Sequence, residues 1–313
     1  MTDPLSPETL RLLRDRDARP EIQPGAHADA LLRRHVLAQI AEAMRDAHIT
    51  ALLVKGAALA LTVYPEAAAR RMSDIDMLVA EGDHERAVRA LERLGWLVAR
   101  SESRRLSGVM LGETMVQARA GTMTFTVEVH SSLDKVVRRP ISFADLAARA
   151  SHAPGLEGLS VPSREDHALL VALHASTHAY RHELALQDME LLLRSGLDRD
   201  ELRRRCERFH LRTVMFVMMS VLRSLGAASV DDELVRVFDP GRFRRALLDR
   251  FYDLERFPPA RGAEELGVAW LVRQAPLWDD PSMFVMGVAK YSGLRGAERI
   301  LEVLTKYAAS TKR

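Results

Sequence analysis

Asp74-Ile-Asp-Met-Leu-Val79 places two carboxylates two residues apart at the start of an apolar run. The alternation of a β-strand sends both carboxylates, Asp74 and Asp76, to the same face. Two anions held so close repel each other unless a positive charge lies between them, and a hard cation such as Mg²⁺ binds oxygen ligands of this kind. The stretch therefore predicts a strand that begins at a metal site. The alternative is a solvated turn, where the same pattern also occurs.

A second stretch, Leu52-Leu-Val-Lys-Gly-Ala-Ala-Leu59, has the pattern of a buried strand that turns directly into a helix. Gly56 lets another group approach the backbone closely, and the first turn of a helix offers free N–H groups to a phosphate. Lys55 adds a positive charge at the same place. These residues predict a phosphate-binding turn. The alternative is an ordinary strand-to-helix turn with a surface lysine.

A third stretch, Phe125-Thr-Val-Glu-Val-His130, alternates as a strand, with Glu128 on the face opposite the apolar residues. A carboxylate in the middle of such a strand is costly to bury unless it is paired or bound to a metal. Glu128 would supply the third carboxylate of a two-metal site. The alternative is a half-exposed strand on which Glu128 faces water. His130 shares the face of Glu128, where it either orients a carboxylate, contacts substrate or makes a structural hydrogen bond.

Hydrophobic periodicity and turn residues divide the chain into an α/β part and a helical part. The elements predicted in the first part are helix 30–47, strand 51–54, helix 56–63, strand 74–80, helix 83–94 capped by Asp83, strand 96–100, and a hairpin of 115–120 and 123–130 around Gly121. From Ser163, an N-capping residue, the pattern becomes almost wholly helical and helices are expected to run on through His182. We predict an α+β fold with an α/β domain and N-terminal helices in residues 1–150, followed by a helical domain in residues 151–313.

Taken in order, these stretches resemble the nucleotidyltransferase fold of the DNA polymerase beta superfamily, and specifically its uncharacterised bacterial nucleotidyltransferase branch. The resemblance covers about residues 30–225. The stretches that carry it are Val54-Lys-Gly-Ala-Ala-Leu59, Tyr64-Pro65, Arg70, Asp74-Ile-Asp-Met-Leu-Val79 and Val127-Glu-Val-His130. The resemblance implies a small mixed sheet with helices, followed by a mainly helical C-terminal domain.

The resemblance also implies roles for individual residues. The residues expected to bind the nucleotide are Lys55, Gly56, Ala57, Arg70 and His130. The residues expected to be catalytic and to bind the metals are Asp74, Asp76 and Glu128. Two positions depart from the pattern: Ala57 replaces the Ser or Gly that the superfamily favours, and Glu128 replaces the Asp that the branch tends to carry.

The implied activity is that of a metal-dependent nucleotidyltransferase. The enzyme would move an NMP, with AMP expected, from an NTP to an acceptor and release pyrophosphate, with Mg²⁺ or Mn²⁺ as cofactor and ATP as the expected NTP. The acceptor stays open between a small molecule, a peptide, a protein and an RNA. One alternative is a catalytically weak or inactive nucleotide-binding regulator or antitoxin-like module. Another is a nucleotide-sugar glycosyltransferase that uses Asp74 and Asp76 as its metal motif.

Four histidines in the helical part, His167, His174, His178 and His182, follow at spacings of 7, 4 and 4 residues. This spacing places them on one stripe of a helix. No glutamate joins them in a His-Glu-x-x-His motif, which argues against a protease-type zinc site. We expect His174 and His178 to line the nucleotide or acceptor cleft. Polar packing between helices is the alternative.

The composition sets the remaining expectations. The single cysteine, Cys206, excludes an intramolecular disulfide and fits a reducing compartment. The longest apolar stretch, Thr213 to Leu222, falls far short of the roughly 20 residues that span a bilayer. A formal charge of only +2 does not indicate DNA as an obligate partner. We therefore expect a cytoplasmic protein without a membrane or an obligate DNA partner.

Overall fold

The computed structural model describes residues 5–99, 112–120, 123–134, 139–252, 254, 274–289 and 292–293. One mixed sheet carries the α/β part, with strand order β3-β4-β5-β2-β1-β7-β6. The strands are β1 (Ala51–Val54), β2 (Asp74–Val79), β3 (Leu97–Val98), β4 (Glu113–Ala120), β5 (Met123–His130), β6 (Ser151–His152) and β7 (Leu159–Val161).

The central strand β2 pairs antiparallel with β1 and parallel with β5. Its first residue is half-buried and the rest are buried, because both faces of the sheet are covered. Ile75, Met77 and Val79 pack into the core on one face. Leu78 packs with Leu170 on the other. By alternation, the two aspartates of β2 share the face of Leu78 and point toward the helical part.

Four helices precede or interleave with the first strands: α1 (Pro7–Arg14), α2 (Ala26–Asp46), α3 (Lys55–Thr62) and α4 (His84–Glu92). Val36, Ile40 and Met44 of α2 lie one helical turn apart and bury the same face against the sheet. α3 follows β1 without a loop. Its first turn therefore lies at the end of β1, where the sequence predicted a phosphate-binding turn.

One short helix, α5 (Phe143–Ala147), lies between β5 and β6. The helical part contains α6 (Arg164–Thr177), α7 (Glu183–Arg194), α8 (Arg199–Arg208), α9 (Arg212–Ser224), α10 (Asp232–Val237) and α11 (Arg242–Tyr252). Ser163 caps α6 as predicted, because its Oγ accepts the backbone N–H of Asp166 at 3.2 Å. α6 is buried along most of its length and packs against α7, α8 and α9. It is the central helix of this part.

The predicted fold class is confirmed: a mixed sheet with helices is followed by a helical C-terminal region. Two features were not foreseen. The sheet continues past residue 150 through β6 and β7, because β7 pairs parallel with β1. α1 packs with the helical part, where Leu12 and Leu13 are fully buried.

Two local predictions were wrong. The helix expected to run through His182 ends at Thr177, because Ala179 and Tyr180 have positive φ angles of 50° and 57°. Asp83 precedes α4 but makes no capping hydrogen bond, since its carboxylate binds Arg86 instead. Gly121 and Arg100 lie outside the described residues. Among the residues described, no helix is both long and apolar enough to cross a bilayer.

Candidate functional site

Asp76 of β2 and Glu128 of β5 are register partners on adjacent parallel strands. Both side chains lie on the same face of the sheet, and His130 follows Glu128 on that face. One ligand atom from each of Asp76, Glu128 and His130 lies within 4.8 Å of the others. The structure therefore brings two of the three predicted carboxylates together with a histidine, in a group that could hold a metal ion.

His130 joins the two carboxylates. Its Nε2 lies 2.8 Å from Oδ1 of Asp76 and 3.4 Å from Oε2 of Glu128. The ring is only 1% exposed. Burial acts to lower the pKa of His130, but its hydrogen bonds to Asp76 and Glu128 outweigh burial and raise the pKa above the usual value. The ring therefore favours the protonated form, in which it donates to these carboxylates.

Lys55 contributes a second positive charge to Asp76. Its φ angle of 51° is unusual for a residue with a side chain. Its Nζ donates to Oδ1 of Asp76 at 2.5 Å. Burial acts to raise the pKa of Asp76, but the hydrogen bond from His130 and the charge of Lys55 lower it well below the usual value. Asp76 is thus strongly held as an anion.

Asp74 stands at the half-buried start of β2, on the same face as Asp76. Burial raises the pKa of Asp74, and the charges of Asp76 and Glu128 raise it further. The carboxylate of Asp74 is thus electrostatically coupled to the other two. It lies at the open edge of the site.

A cavity of about 270 Å³ opens at this edge, between the α/β part and the helical part. The predicted site residues that line it are Lys55, Gly56, Arg70, Asp74, Asp76, His174 and His178, together with His182 and Asp188. Ala57 lies elsewhere: its side chain is buried in the core and lines a neighbouring cavity. Only its backbone N–H, in the first turn of α3, is available for a phosphate.

Arg70 was expected to contact phosphate, yet its guanidinium is buried in an ion pair. Nε and Nη2 donate to the two carboxylate oxygens of Asp188 in α7, at 2.7 and 2.8 Å. The hydroxyl of Tyr64 donates to the same carboxylate at 2.8 Å. A methyl group at Gly56 would lie 3.3 Å from Cζ of Arg70. Arg70 therefore stands beside the predicted phosphate turn and ties it to the helical part.

Three histidines of the helical part line the cavity together, and we call them the histidine wall. The ring centroids of His174, His178 and His182 lie 4.9 to 5.8 Å apart. Burial and the nearby charge of Lys55 lower the pKa of His174 to about 2, so this ring is neutral near pH 7. His167 is fully buried within α6 and does not line this cavity, so the predicted four-histidine stripe is wrong at that residue.

Comparison with protein families identifies the family to which the chain belongs. A family model described as uncharacterised nucleotidyltransferase matches residues 24–226. The chain belongs to this nucleotidyltransferase family. The matched residues run from the start of α2 to the end of α9 and contain every site residue named above. No curated protein and no solved structure matches the chain significantly.

The donor set of this chain suits a divalent cation. Asp76 and Glu128 offer carboxylate oxygens, which Mg²⁺ and Mn²⁺ prefer. His130 would add an imidazole nitrogen once metal binding displaces its proton, and Mn²⁺ accepts such a nitrogen more readily than Mg²⁺. Nδ1 of His130 is buried without a hydrogen bond among the described residues, and Oε2 of Glu113 lies 3.9 Å from it. The side chains fit a metal that joins β2 to β5.

Proposed function

We propose that the protein is a metal-dependent nucleotidyltransferase that moves an NMP, with AMP expected, from an NTP to an acceptor nucleophile and releases pyrophosphate. One observation carries the proposal. The carboxylates of Asp76 and Glu128 meet in register on parallel strands, and Asp76 lines the same cavity as the first turn of α3. The residues that we propose as metal ligands thus adjoin the helix terminus that we propose for the phosphates, in a chain of a nucleotidyltransferase family.

Asp74, Asp76 and Glu128 would hold the divalent cations. Such cations, Mg²⁺ or Mn²⁺, lower the pKa of an attacking hydroxyl and neutralise charge on the triphosphate. The hydrogen bond from His130 lowers the pKa of Glu128, as it does that of Asp76. Lowered pKa values favour a ligand role over a general-base role for these two carboxylates.

The first turn of α3 would bind the triphosphate. The backbone N–H groups of Gly56 and Ala57 lack partners within the helix, and the positive end of the helix dipole lies at the same place. Gly56 has no side chain to block the approach of a phosphate oxygen. Arg70 stands beside this turn in a position fixed by Asp188, whose carboxylate offsets its charge. These groups would orient the α-phosphate for in-line attack.

The histidine wall would contact the base, the ribose or the acceptor. His174 is neutral near pH 7, so it offers both a donor and an acceptor nitrogen and adds no charge. The neutral ring of His174 suits an uncharged group, whereas the turn at Lys55 suits a phosphate. His174 and His178 are therefore assigned to the nucleoside or acceptor side.

A nucleotide-binding regulator is the second candidate. It is favoured by the ion pair between Lys55 and Oδ1 of Asp76, because that oxygen is one a metal would need. A protein that retains this ion pair would bind a nucleotide without transferring it. The two candidates differ in whether pyrophosphate is released.

The test is incubation with each α-labelled NTP, Mg²⁺ or Mn²⁺, and fractionated cell extract. We expect label to move to an acceptor with the wild type and with Asp46→Asn, which makes the same chemical change at an exposed position. Transfer by Asp76→Asn should fall by a factor of about 100 or more. Equal transfer by Asp76→Asn would reject the site. Nucleotide binding without pyrophosphate release in any fraction would favour the regulator.

A further inference from the structure

A second cavity, of about 370 Å³, lies beside the candidate site. Ala57 and Ala60 of α3 form one wall, and α2 and the short turn at Ala67–Ala69 form the others. The lining is mostly apolar, and its larger apolar residues are Leu31, Leu37, Leu61 and Met72. Met72 also lines the candidate active-site cavity, so the two cavities share a wall. The size is that of a small-ligand site.

Arg33 is the exceptional residue of this lining. It is 9% exposed, yet within the described part of the chain its guanidinium has no hydrogen bond and no ion pair. Burial is the largest influence on its pKa and lowers it, whereas the charge of Asp29, four residues earlier in α2, raises it. A guanidinium carries five N–H donors and stays charged in proteins, so Arg33 has donors available to a ligand in the cavity.

The other buried arginines of the described residues all have a carboxylate partner. Arg70 binds Asp188, Arg139 binds Asp134 and Arg205 binds Asp166, each with a contact of 2.7 to 2.8 Å. Each of these three arginines therefore touches a carboxylate, whereas among the residues described Arg33 has Asp29 only at longer range. The guanidinium of Arg33 lines a cavity, whereas the guanidinium of each of the other three arginines contacts an acidic side chain.

We propose that this cavity binds a small amphipathic carboxylate, whose head group is held by Arg33 and whose apolar body lies along α2 and α3. The planar fork of a guanidinium matches a carboxylate in a bidentate pair. Glu66 lines the same cavity and the charge of Asp29 also acts on Arg33, so these surroundings suit a monoanion better than a phosphate dianion. The proposal does not depend on nucleotidyl transfer.

Binding is tested with a matched set of probes by isothermal titration calorimetry on the full chain. Octanoate has both the carboxylate and the apolar chain. Acetate has only the carboxylate, and 1-octanol has the apolar chain without a charge. Octyl phosphate has the apolar chain with a phosphate in place of the carboxylate. We expect saturable binding of octanoate, with acetate and 1-octanol weaker by about tenfold or more. Octyl phosphate that binds more tightly than octanoate would overturn the choice of a carboxylate.

Two variants separate the roles of charge and cavity. Arg33→Met keeps an apolar side chain of similar length, so it should weaken octanoate about tenfold or more and leave 1-octanol unchanged. It should fold, since it removes an unpaired buried charge. Ala60→Leu fills the cavity and should abolish octanoate binding with Arg33 intact. Arg45→Met, at an exposed arginine of α2 that does not line the cavity, is the control and should bind octanoate like the wild type.

Three results would overturn the proposal. The first is no saturable binding of octanoate by the wild type. The second is binding by Arg33→Met that equals that of the wild type. The third is an equal loss of binding in Arg45→Met and Arg33→Met. Thermal unfolding of each variant without a probe checks that it is folded, so a loss of binding is assigned to the cavity only in a folded protein.

Discussion

Arg70 and Asp188, which are 118 residues apart in the chain, form a bidentate ion pair that joins the loop before β2 to α7. Asp188→Asn should lower the free energy of unfolding by about 3–5 kcal/mol, because it leaves a buried guanidinium without its charged partner. Urea denaturation measures this change. Arg70→Met combined with Asp188→Leu should cost less than Asp188→Asn alone, because no charge is then left buried.

The matched control for this pair is the exposed ion pair of Arg89 and Glu85 in α4. Glu85→Gln should change the free energy of unfolding by no more than about 0.5 kcal/mol. If Asp188→Asn costs as little as Glu85→Gln, the buried pair does not stabilise the junction of the two parts.

Lys55 holds a left-handed backbone conformation, with a φ angle of 51°. Lys55→Met and Lys55→Gly both remove the ammonium, but only glycine adopts a positive φ angle without strain. Lys55→Gly should therefore be more stable than Lys55→Met by about 1 kcal/mol in urea denaturation. Glycine is normally about 1 kcal/mol worse than other residues in a helix, so the order is the reverse of the usual one.

Arg199 is the control position, because it also begins a helix and does not have a positive φ angle. There, Arg199→Met should be at least as stable as Arg199→Gly. If the glycine variant is the less stable of the two at position 55 as well, the backbone at Lys55 is not strained.

His167 makes the stability depend on pH. Burial lowers the pKa of His167 from 6.5 to about 4 in the folded protein. Between these values the unfolded chain binds more protons, so stability falls as the pH falls from about 6.5 toward 4. His167 alone should lower the free energy of unfolding by about 3 kcal/mol when the pH reaches about 4. Denaturation at a series of pH values measures it.

His167→Leu should flatten this acid-side slope relative to the wild type, because the titrating ring is gone. His35→Gln, which changes an exposed histidine of α2, should keep the wild-type slope. A slope in His167→Leu as steep as in the wild type would show that other groups cause the acid instability.

Metal removal should stop the reaction that we propose. Treatment with EDTA should abolish nucleotide transfer, and added Mn²⁺ or Mg²⁺ should restore it. Glu128→Gln should weaken Mn²⁺ binding about tenfold or more in calorimetry, since a neutral amide replaces a charged oxygen ligand. Glu85→Gln is the matched control and should bind Mn²⁺ like the wild type. Unchanged Mn²⁺ binding by Glu128→Gln would exclude Glu128 as a ligand.

The sequence predicted the central strands well, because their signal is local. β1 and β5 have the predicted bounds, and β2 is one residue shorter than predicted. The approach of Asp76 to Glu128 follows from alternation once the two strands are taken as neighbours. Their roles as metal ligands stay predictions.

The remaining features depend on contacts between distant parts of the chain. No local pattern reveals that Asp188 binds Arg70, or that Lys55 turns to Asp76 instead of facing solvent. The turn after α6 was missed because Ala179 and Tyr180 are not residues that usually adopt a positive φ angle. Arg33 resembles any other arginine of an amphipathic helix until the absence of a partner among the described residues is seen.

The close approach of Arg70 to Gly56 restricts which amino acids can replace either residue. Gly56 does not have a positive φ angle, so its neighbour, and not its own backbone, limits the space for a side chain there. With alanine at this position, Arg70 would have to move by a few tenths of an ångström, although Asp188 holds it in a bidentate contact. Tolerance of a methyl group at Gly56 therefore depends on how far the buried ion pair can move.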